Sequence, residues 1–174
     1  ADIPKAVKTY MKGKVEIVGD QVLYNGESIH NVVVDRIFDF IGNEEDPTPM
    51  LAFLEKLMGN PSFRVVEGLY KFLENQGLPL TEDGNFYAYK AVRDNWTDKR
   101  TGTILSKVGD TVEVLRNTVD DDPSHDCSYG LHAGSQGYVA GFGCFTAVRS
   151  DRAIIVEIDP RDVVSVPTYD TNKL

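Results

Sequence analysis

Residues 47–77 read PTPMLAFLEKLMGNPSFRVVEGLYKFLENQG and contain the clearest structural signal in the chain. Pro49 suits the first turn of a helix, and Gly59 and Gly77 stand where helices commonly end. Between these markers, apolar residues recur at spacings of three and four, which is typical of one buried helical face. These residues are Met50, Phe53, Leu54, Leu57 and Met58, then Val65, Leu69, Phe72 and Leu73. The stretch predicts two consecutive helices.

Towards the N-terminus, the pattern first stays helical and then changes to that of strands. Val33, Ile37, Phe40 and Ile41 predict a further helix, which residues 43–47 interrupt. Residues 14–18 and 21–24 are short β-rich runs joined by a Gly-Asp turn, with Asn-Gly at 25–26 as a second turn signal. We therefore predict a β-hairpin followed by about three helices.

Beyond residue 77 the chain becomes β-rich. Strands are predicted around residues 86–90, 103–105, 111–115 and 153–158, and one short helix at residues 135–142 with Ser135 as its N-cap. The prediction is an α+β protein with an N-terminal β-hairpin, about three helices, and a β-rich C-terminal domain with one short helix. Its two domains would be residues 1–77, hairpin and helices, and residues 78–174, the β-rich part.

Composition narrows the classes of function. The net charge of -9 and the pI near 4.8 oppose a broad electrostatic grip on nucleic acid, so no nucleic-acid partner is expected. Apolar runs are far shorter than the roughly 20 residues of a membrane helix, and two cysteines do not indicate a disulfide framework. A soluble protein with reduced thiols is expected, and its start at Ala1 is compatible with a processed piece.

Residues 127–134, CSYGLHAG, concentrate reactive side chains between glycines. Cys127 and His132 are candidates for a catalytic pair, because a glycine-containing loop could return the imidazole to the thiol. The neighbouring carboxylates at 120–122 oppose this, since nearby negative charge raises the pKa of a thiol. A buried structural cysteine and a core histidine are the alternatives, and whether the chain is an enzyme stays open.

The same region raises the question of a metal. His125, Cys127 and His132 are residue types that ligate zinc, but their spacing matches no common zinc motif. Residues 120–123, DDDP, lack the spacing of a calcium loop and fit a solvated acidic turn. Neither a metal nor another cofactor is predicted.

Several blocks, taken in order, resemble the rIIB proteins of T-even-like phages. The blocks are LPLTEDG (78–84), FYAYK (86–90), TGTI (101–104), RN (116–117), VDDD (119–122), CSYGLH (127–132) and DPRDVVSVP (159–167), with NGE (25–27) and NPS (60–62) also similar. No block here resembles the N-terminal extension typical of that family, which can carry a helix-turn-helix-like pattern, so the resemblance gives no expectation of DNA binding for this piece.

The resemblance implies a phage accessory protein that acts through protein–protein contacts. It implies an rIIA-like partner, a role in lysis timing and in protection from a resident prophage's exclusion system, and a location in the host cytoplasm, with peripheral association at the inner membrane through a partner. Aromatic residues beyond those that a small core needs would allow a homo-oligomer.

The runner-up function is a small-ligand or nucleotide-binding or processing domain, with a pocket similar to that of ADP-ribosyltransferases. Lys90 or Arg93 would meet a phosphate, Tyr89 would stack on a base, and the glycines would let backbone N–H groups approach the ligand. Strand alternation places Tyr89 and Lys90 on opposite faces, so both face one ligand only if the strand bulges. The predicted ligand-binding residues are Tyr89, Lys90, Arg93, Gly130, His132 and Gly134.

Overall fold

The computed structural model describes residues 14–125, 128–142, 151–168 and 172–174 of the 174-residue chain. Strands come first, then three helices, and then a second sheet with one short helix. This order confirms the predicted α+β class. Cys127 lies outside the described residues, so the proposed pairing of its thiol with His132 stays a prediction.

The N-terminal sheet has three antiparallel strands, β1 (Val15–Val18), β2 (Gln21–Tyr24) and β3 (Glu27–Ile29). The predicted hairpin is β1–β2, and the Asn-Gly turn at 25–26 adds the third strand. Both residues of that turn have positive φ, 52° and 82°, the backbone that Asn-Gly adopts readily in tight hairpins.

Three helices follow: α1 (Val32–Gly42), α2 (Thr48–Met58) and α3 (Phe63–Gln76). The side chains of Asn31 and Ser62 cap α1 and α3 by accepting hydrogen bonds from backbone N–H groups. Gly77 ends α3 in the left-handed conformation, with φ of 64°. The apolar faces predicted from the sequence pack into the core, with Phe40, Ile41 and Met58 only partly buried and the other predicted residues buried. The three predicted helices are therefore confirmed.

The C-terminal sheet pairs β4 (Phe86–Val92) with β5 (Arg152–Ile158) in antiparallel register, Tyr89 opposite Ile155. The short helix α4 (Gln136–Ala140) begins after Ser135, whose hydroxyl accepts a hydrogen bond from the N–H of Tyr138, as predicted. Two predicted strands are wrong, since residues 111–115 have no regular structure and residues 103–105 contribute only a bridge from Leu105 to Thr97.

The side chain of Asp98 explains why residues 103–105 do not form a strand. Its carboxylate accepts hydrogen bonds from the backbone N–H groups of Thr101, Thr103 and Ile104, at 2.6, 3.0 and 2.9 Å. Donors that a neighbouring strand would use are therefore taken by a local side chain. The result is a hydrogen-bonded loop in place of a ladder.

The apolar core is continuous across residue 77. One buried cluster contains Ile17, Ile37 and Phe53 together with Phe86 and Ala88 from the second half. The proposed boundary between residues 1–77 and 78–174 stays a prediction. Within the parts of the chain that the structure describes, no helix has the length and apolar character to cross a membrane.

Candidate functional site

The segment 133–135 lies between β4 and the last residues of the chain. Tyr89 and Gly134 exchange two backbone hydrogen bonds of 2.8 Å, and the N–H of Leu174 donates to the carbonyl of Ala133 at 2.7 Å. The N–H of Ser135 also donates to the carbonyl of Asn172 at 2.8 Å. The segment 133–135 therefore pairs through its backbone with β4 on one side and with residues 172–174 on the other, which extends the C-terminal sheet.

The ring of His132 is partly buried beside this segment. Its Nε2 lies 2.9 Å from the carbonyl oxygen of Ser128, and because a carbonyl only accepts, Nε2 carries the proton and donates. Burial lowers the pKa of His132, and the positive charges of Lys173 and Lys90 add to that lowering, while the backbones of Ser128 and Leu174 oppose it. Its surroundings therefore favour the neutral imidazole of His132.

Lys90 joins β4 to the same loop. Its Nζ donates to the carbonyl oxygen of His132 at 3.0 Å. Burial lowers the pKa of Lys90, and the negative charge of Asp98 partly offsets that effect. The structure thus brings together the predicted residues Tyr89, Lys90, His132 and Gly134, with Tyr89 contributing its backbone and Lys90 its side chain.

Arg93 is another predicted ligand-binding residue, but its guanidinium contacts the loop after β4 and not the segment around His132. Its NH2 donates to the carbonyl of Lys99 at 3.1 Å, and its backbone N–H donates to the carbonyl of Thr97 at 2.8 Å. A Cβ at Gly102 would lie 2.7 Å from its NH1. Arg93 therefore holds the turn that follows β4.

The two predicted glycines are in close contact with the protein itself. A Cβ added to Gly134 would lie 2.2 Å from the carbonyl oxygen of Asn172 and 2.9 Å from Cδ1 of Tyr138. Gly130 has φ of 154°, and a Cβ there would lie 2.9 Å from Cγ1 of Val119. Both positions require glycine because other segments of the chain fill the space where a side chain would stand.

The acidic loop is organised around Asp120. Its Oδ2 accepts hydrogen bonds from Ser128 Oγ and from His125 Nδ1, the latter at 2.7 Å, and its Oδ1 accepts from the N–H of Asp122 at 3.0 Å. The hydrogen bond from Ser128, then those from Asp122 and His125, hold the pKa of Asp120 below its usual range. The hydrogen bond and charge of Asp120 raise the pKa of His125.

The geometry of the acidic loop differs from that of a serine relay or a metal site. In a serine nucleophile relay the imidazole stands between hydroxyl and carboxylate, whereas here the carboxylate of Asp120 stands between Ser128 and His125. Throughout residues 14–125, 128–142, 151–168 and 172–174, no three His, Cys, Asp or Glu side chains are grouped to hold a metal ion. The loop is organised as a hydrogen-bonded acidic turn.

A buried polar contact that sequence reasoning missed joins three distant parts of the chain. Asn60 is 6% exposed, and its Nδ2 donates to the carbonyls of Pro160 and Val163, each at 2.8 Å. Arg116 donates to the carbonyls of Arg161 and Val163 at 2.7 and 3.1 Å, and to Oδ1 of Asn60 at 3.3 Å. The blocks NPS (60–62), RN (116–117) and DPRDV (159–163) therefore meet in space. Their shared resemblance to one family was the signal available in the sequence.

Residues 98–125, which we call the connecting segment, contain no strand and a single short 3-10 turn at Arg116–Thr118. Leu105, Val108 and Leu115 lie within it, with exposed fractions of 47%, 82% and 73%. Tyr129, four residues beyond its end, is 46% exposed. Half of the eight exposed large hydrophobic side chains found among the described residues thus lie on this segment or just after it.

The fold and these contacts define an α+β protein whose candidate site is built from hydrogen bonds between its own segments. The family model described as Bacteriophage T4 protein rIIB matches residues 5–174. Protein rIIB of Enterobacteria phage T4 is 38% identical over 166 residues, which cover 95% of this chain and 52% of that relative. The chain therefore belongs to the rIIB family of phage proteins.

The match has a defined extent. The chain spans about half the length of the curated relative that it matches. No solved structure matches the chain. The resemblance read from the sequence blocks is confirmed by both the family model and this relative.

Proposed function

We propose that this rIIB-like phage accessory protein acts through protein–protein contacts, in lysis timing and in protection against a resident prophage's exclusion system. Its partner would be an rIIA-like protein, and it would act in the host cytoplasm, reaching the inner membrane only through that partner. The observation that carries the proposal is the exposed apolar character of the connecting segment. The family relationship supports the phage role, and the surface supports the mode of action.

Exposed apolar side chains on a long ordered loop are typical of a contact surface. Loops longer than about 12–15 residues without secondary structure are uncommon in compact domains and are usually functional or disordered. Here Val108 and Leu115 are 82% and 73% exposed, although both are costly to leave in water. A partner that covers them would gain the free energy of burying that surface.

The connecting segment is held in place at several points, which favours binding. Asp98 fixes its start, Arg116 fixes its middle against residues 160–163, and Asp120 fixes its end. The N–H of Lys107 also donates to Oδ2 of Asp110 at 2.9 Å in a local turn. A surface that is already ordered loses less conformational entropy when a partner binds.

The test compares Val108→Asp and Leu115→Asp with the control Phe63→Asp. Phe63 is 77% exposed and lies in the first turn of α3, where an aspartate is favourable to the helix. Binding to the rIIA-like protein of the same phage is measured by biolayer interferometry. We expect each segment variant to weaken binding by about tenfold or more, as for a contact in the centre of an interface, and the control to bind like the parent.

The same variants are then placed in a phage that lacks its own rIIB, and lysis timing and plating on a host with an excluding prophage are scored. Parent-like binding and parent-like plating for both segment variants would refute the connecting segment as the contact surface. If Phe63→Asp also loses binding and plating, the contact lies elsewhere than on the connecting segment.

A small-ligand or nucleotide pocket at Tyr89, Lys90, His132 and Gly134 is the second candidate. The observation that favours it is the positive charge that Lys90 and Lys173 place beside the His132 ring, which would attract a phosphate. The close contacts of Gly134 with the chain's own backbone weigh against it. Thermal unfolding with saturating ATP, NAD or ADP-ribose tests it, because a ligand of the folded state raises the melting temperature. No shift with any of them would exclude these ligands.

A further inference from the structure

A groove lies on the helical half of the molecule, and none of its lining residues belongs to the connecting segment. It is bounded by α1, the loop after α1, α2, α3 and the segment that follows α3, and its volume is about 230 Å3. Its floor includes Met50, Leu73 and Leu78, which are 6%, 1% and 8% exposed, so the floor belongs to the core. Leu80, which is partly exposed, stands at its edge.

The size of the groove indicates what kind of group fits it. Pockets for small molecules usually measure roughly 300–1,000 Å3. A cavity of roughly 150 Å3 lined by apolar side chains accepts a benzene ring. A groove of about 230 Å3 therefore accommodates one large apolar side chain of a protein rather than a cofactor.

The charges around the groove are mostly negative. Asp46 and Glu74 line it, and Glu44 and Glu45 come directly before Asp46 in the chain. Asp46 is held in place by the backbone N–H of Thr48, which donates to its Oδ1 at 2.9 Å. Arg36 lies 3.0 Å from Oε1 of Glu74 and offsets part of this charge. The remaining carboxylates favour a cationic partner and disfavour a second copy of this chain, whose own net charge is -9.

We propose that this groove binds a basic amphipathic segment of a partner protein, which inserts one large apolar side chain above Leu73 and Leu78 and places lysine or arginine beside Asp46 and Glu74. The apolar anchor supplies most of the affinity, since a side chain that fills a pocket is the usual centre of an interface. The carboxylates select the sign of the partner's charge. This surface is separate from the connecting segment, so the inference does not depend on the function proposed above.

The probe is a synthetic fluorescein-labelled 18-residue peptide with leucines along one helical face and lysines elsewhere. Two matched peptides separate the contributions: one replaces every leucine by serine, and the other replaces every lysine by glutamate. Fluorescence anisotropy gives the affinity, and amide chemical shifts of the 15N-labelled protein give the location. We expect the leucine–lysine peptide to bind at least tenfold more tightly than either control and to shift the amides around Leu80.

The protein variants test the two features of the groove separately. Glu74→Gln removes an exposed carboxylate at the rim and should weaken binding about twofold to fivefold, the effect of one exposed charge pair. Glu67→Gln is the control, because Glu67 is exposed on α3 two turns earlier and does not line the groove. Leu80→Ser should weaken binding by reducing the apolar contact, and circular dichroism checks that each variant folds.

Several results would overturn the proposal. Equal binding of the leucine-to-serine peptide, or shifts confined to residues outside the groove, would show attraction to the acidic surface in general. Self-association in sedimentation experiments that Leu80→Ser abolishes would make a second copy of the chain the occupant. If Leu80→Ser fails to fold, the comparison of Glu74→Gln with Glu67→Gln still decides, because equal affinities would refute a role for the rim.

Discussion

Replacing Gly134 by alanine tests whether the glycines of the His132 loop serve architecture or a ligand. A Cβ at this position would lie 2.2 Å from the carbonyl oxygen of Asn172 and 3.0 Å from Cα of Lys173. Both neighbours are backbone atoms, so neither can move aside as the end of a flexible side chain would. Either the loop or residues 172–174 must shift.

The cost follows from what the shift disrupts. Overpacking by one methyl group at a site without room costs about 1–3 kcal/mol. Moving residues 172–174 away also weakens the hydrogen bonds from Leu174 N–H to Ala133 and from Ser135 N–H to Asn172, at about 0.5–1.5 kcal/mol each. Moving residues 172–174 relieves the clash but weakens the hydrogen bonds, so the two costs do not add in full. We expect a loss of about 2–4 kcal/mol in the free energy of unfolding.

The matched control is Gly137→Ala, three residues further in α4. A Cβ there has Ser135 Oγ at 3.6 Å as its nearest neighbour, an ordinary contact, and alanine favours a helix over glycine by about 0.5–1 kcal/mol. Gly137→Ala should therefore be neutral or stabilising. Urea denaturation followed by circular dichroism measures both variants, and equal slopes show that the midpoints compare stability alone.

The reasoning is refuted if Gly134→Ala is as stable as the parent. If it is stable and has lost the binding of a nucleotide that the parent binds, then Gly134 lies at a ligand, and the pocket becomes the better account of the loop. If it loses stability as expected, the loop is part of the framework that joins β4 to residues 172–174.

Three further predictions concern the framework. Gly84 has φ of 79°, and a Cβ there would lie 2.3 Å from the backbone of α2, so Gly84→Ala should lower the free energy of unfolding by about 2–5 kcal/mol. The control is Gly26→Ala, where φ is 82° but nothing lies within 4 Å of the added Cβ, and its cost should be about 1–2 kcal/mol. Urea denaturation measures both variants. Asn60→Ala removes the donor to the buried carbonyl of Pro160 and one of the two donors to the carbonyl of Val163. It should cost about 1–3 kcal/mol, and a loss below 1 kcal/mol in thermal unfolding would contradict this. Burial would raise the pKa of Asp98, but the hydrogen bonds that its carboxylate accepts outweigh burial and lower that pKa. The ionised carboxylate therefore stabilises the fold fully above about pH 4, and this stabilisation is lost as the pH falls further. The stability of Asp98→Asn should therefore fall less steeply than that of the parent below pH 4.

The helices were predictable because their signals are local. Pro49, Gly59 and Gly77 mark ends that a reader of the sequence can place within a residue or two, and the apolar spacing identifies the buried faces. The strand predicted at 103–105 failed for a different reason. Asp98 takes the backbone donors of Thr101, Thr103 and Ile104, and β-branched residues alone do not reveal such a competing acceptor.

The candidate site was only partly predictable. Strand alternation implied that Tyr89 and Lys90 could not both turn their side chains to one group, and the structure is compatible with that rule because Tyr89 meets Gly134 through its backbone. Residues 172–174, which explain why position 134 is glycine, are 38 or more positions away in the sequence. No local pattern indicates a contact at that distance.

The blocks that resemble the rIIB family include the residues that hold the fold together. The side chain of Asn60 uses its full hydrogen-bonding capacity. Its Nδ2 donates to two carbonyls within residues 160–163, and its Oδ1 accepts from the N–H of Ser62 and from Arg116. These blocks therefore identify the family through its architecture, since a group that satisfies buried carbonyls is required whatever the protein binds. The exposed side chains of the connecting segment have no such structural constraint. If the connecting segment is the contact surface proposed above, differences in partner between members of the family should be found at positions such as Val108 and Leu115. Exchanging the exposed side chains at these positions between two members should then exchange their partners while leaving stability unchanged.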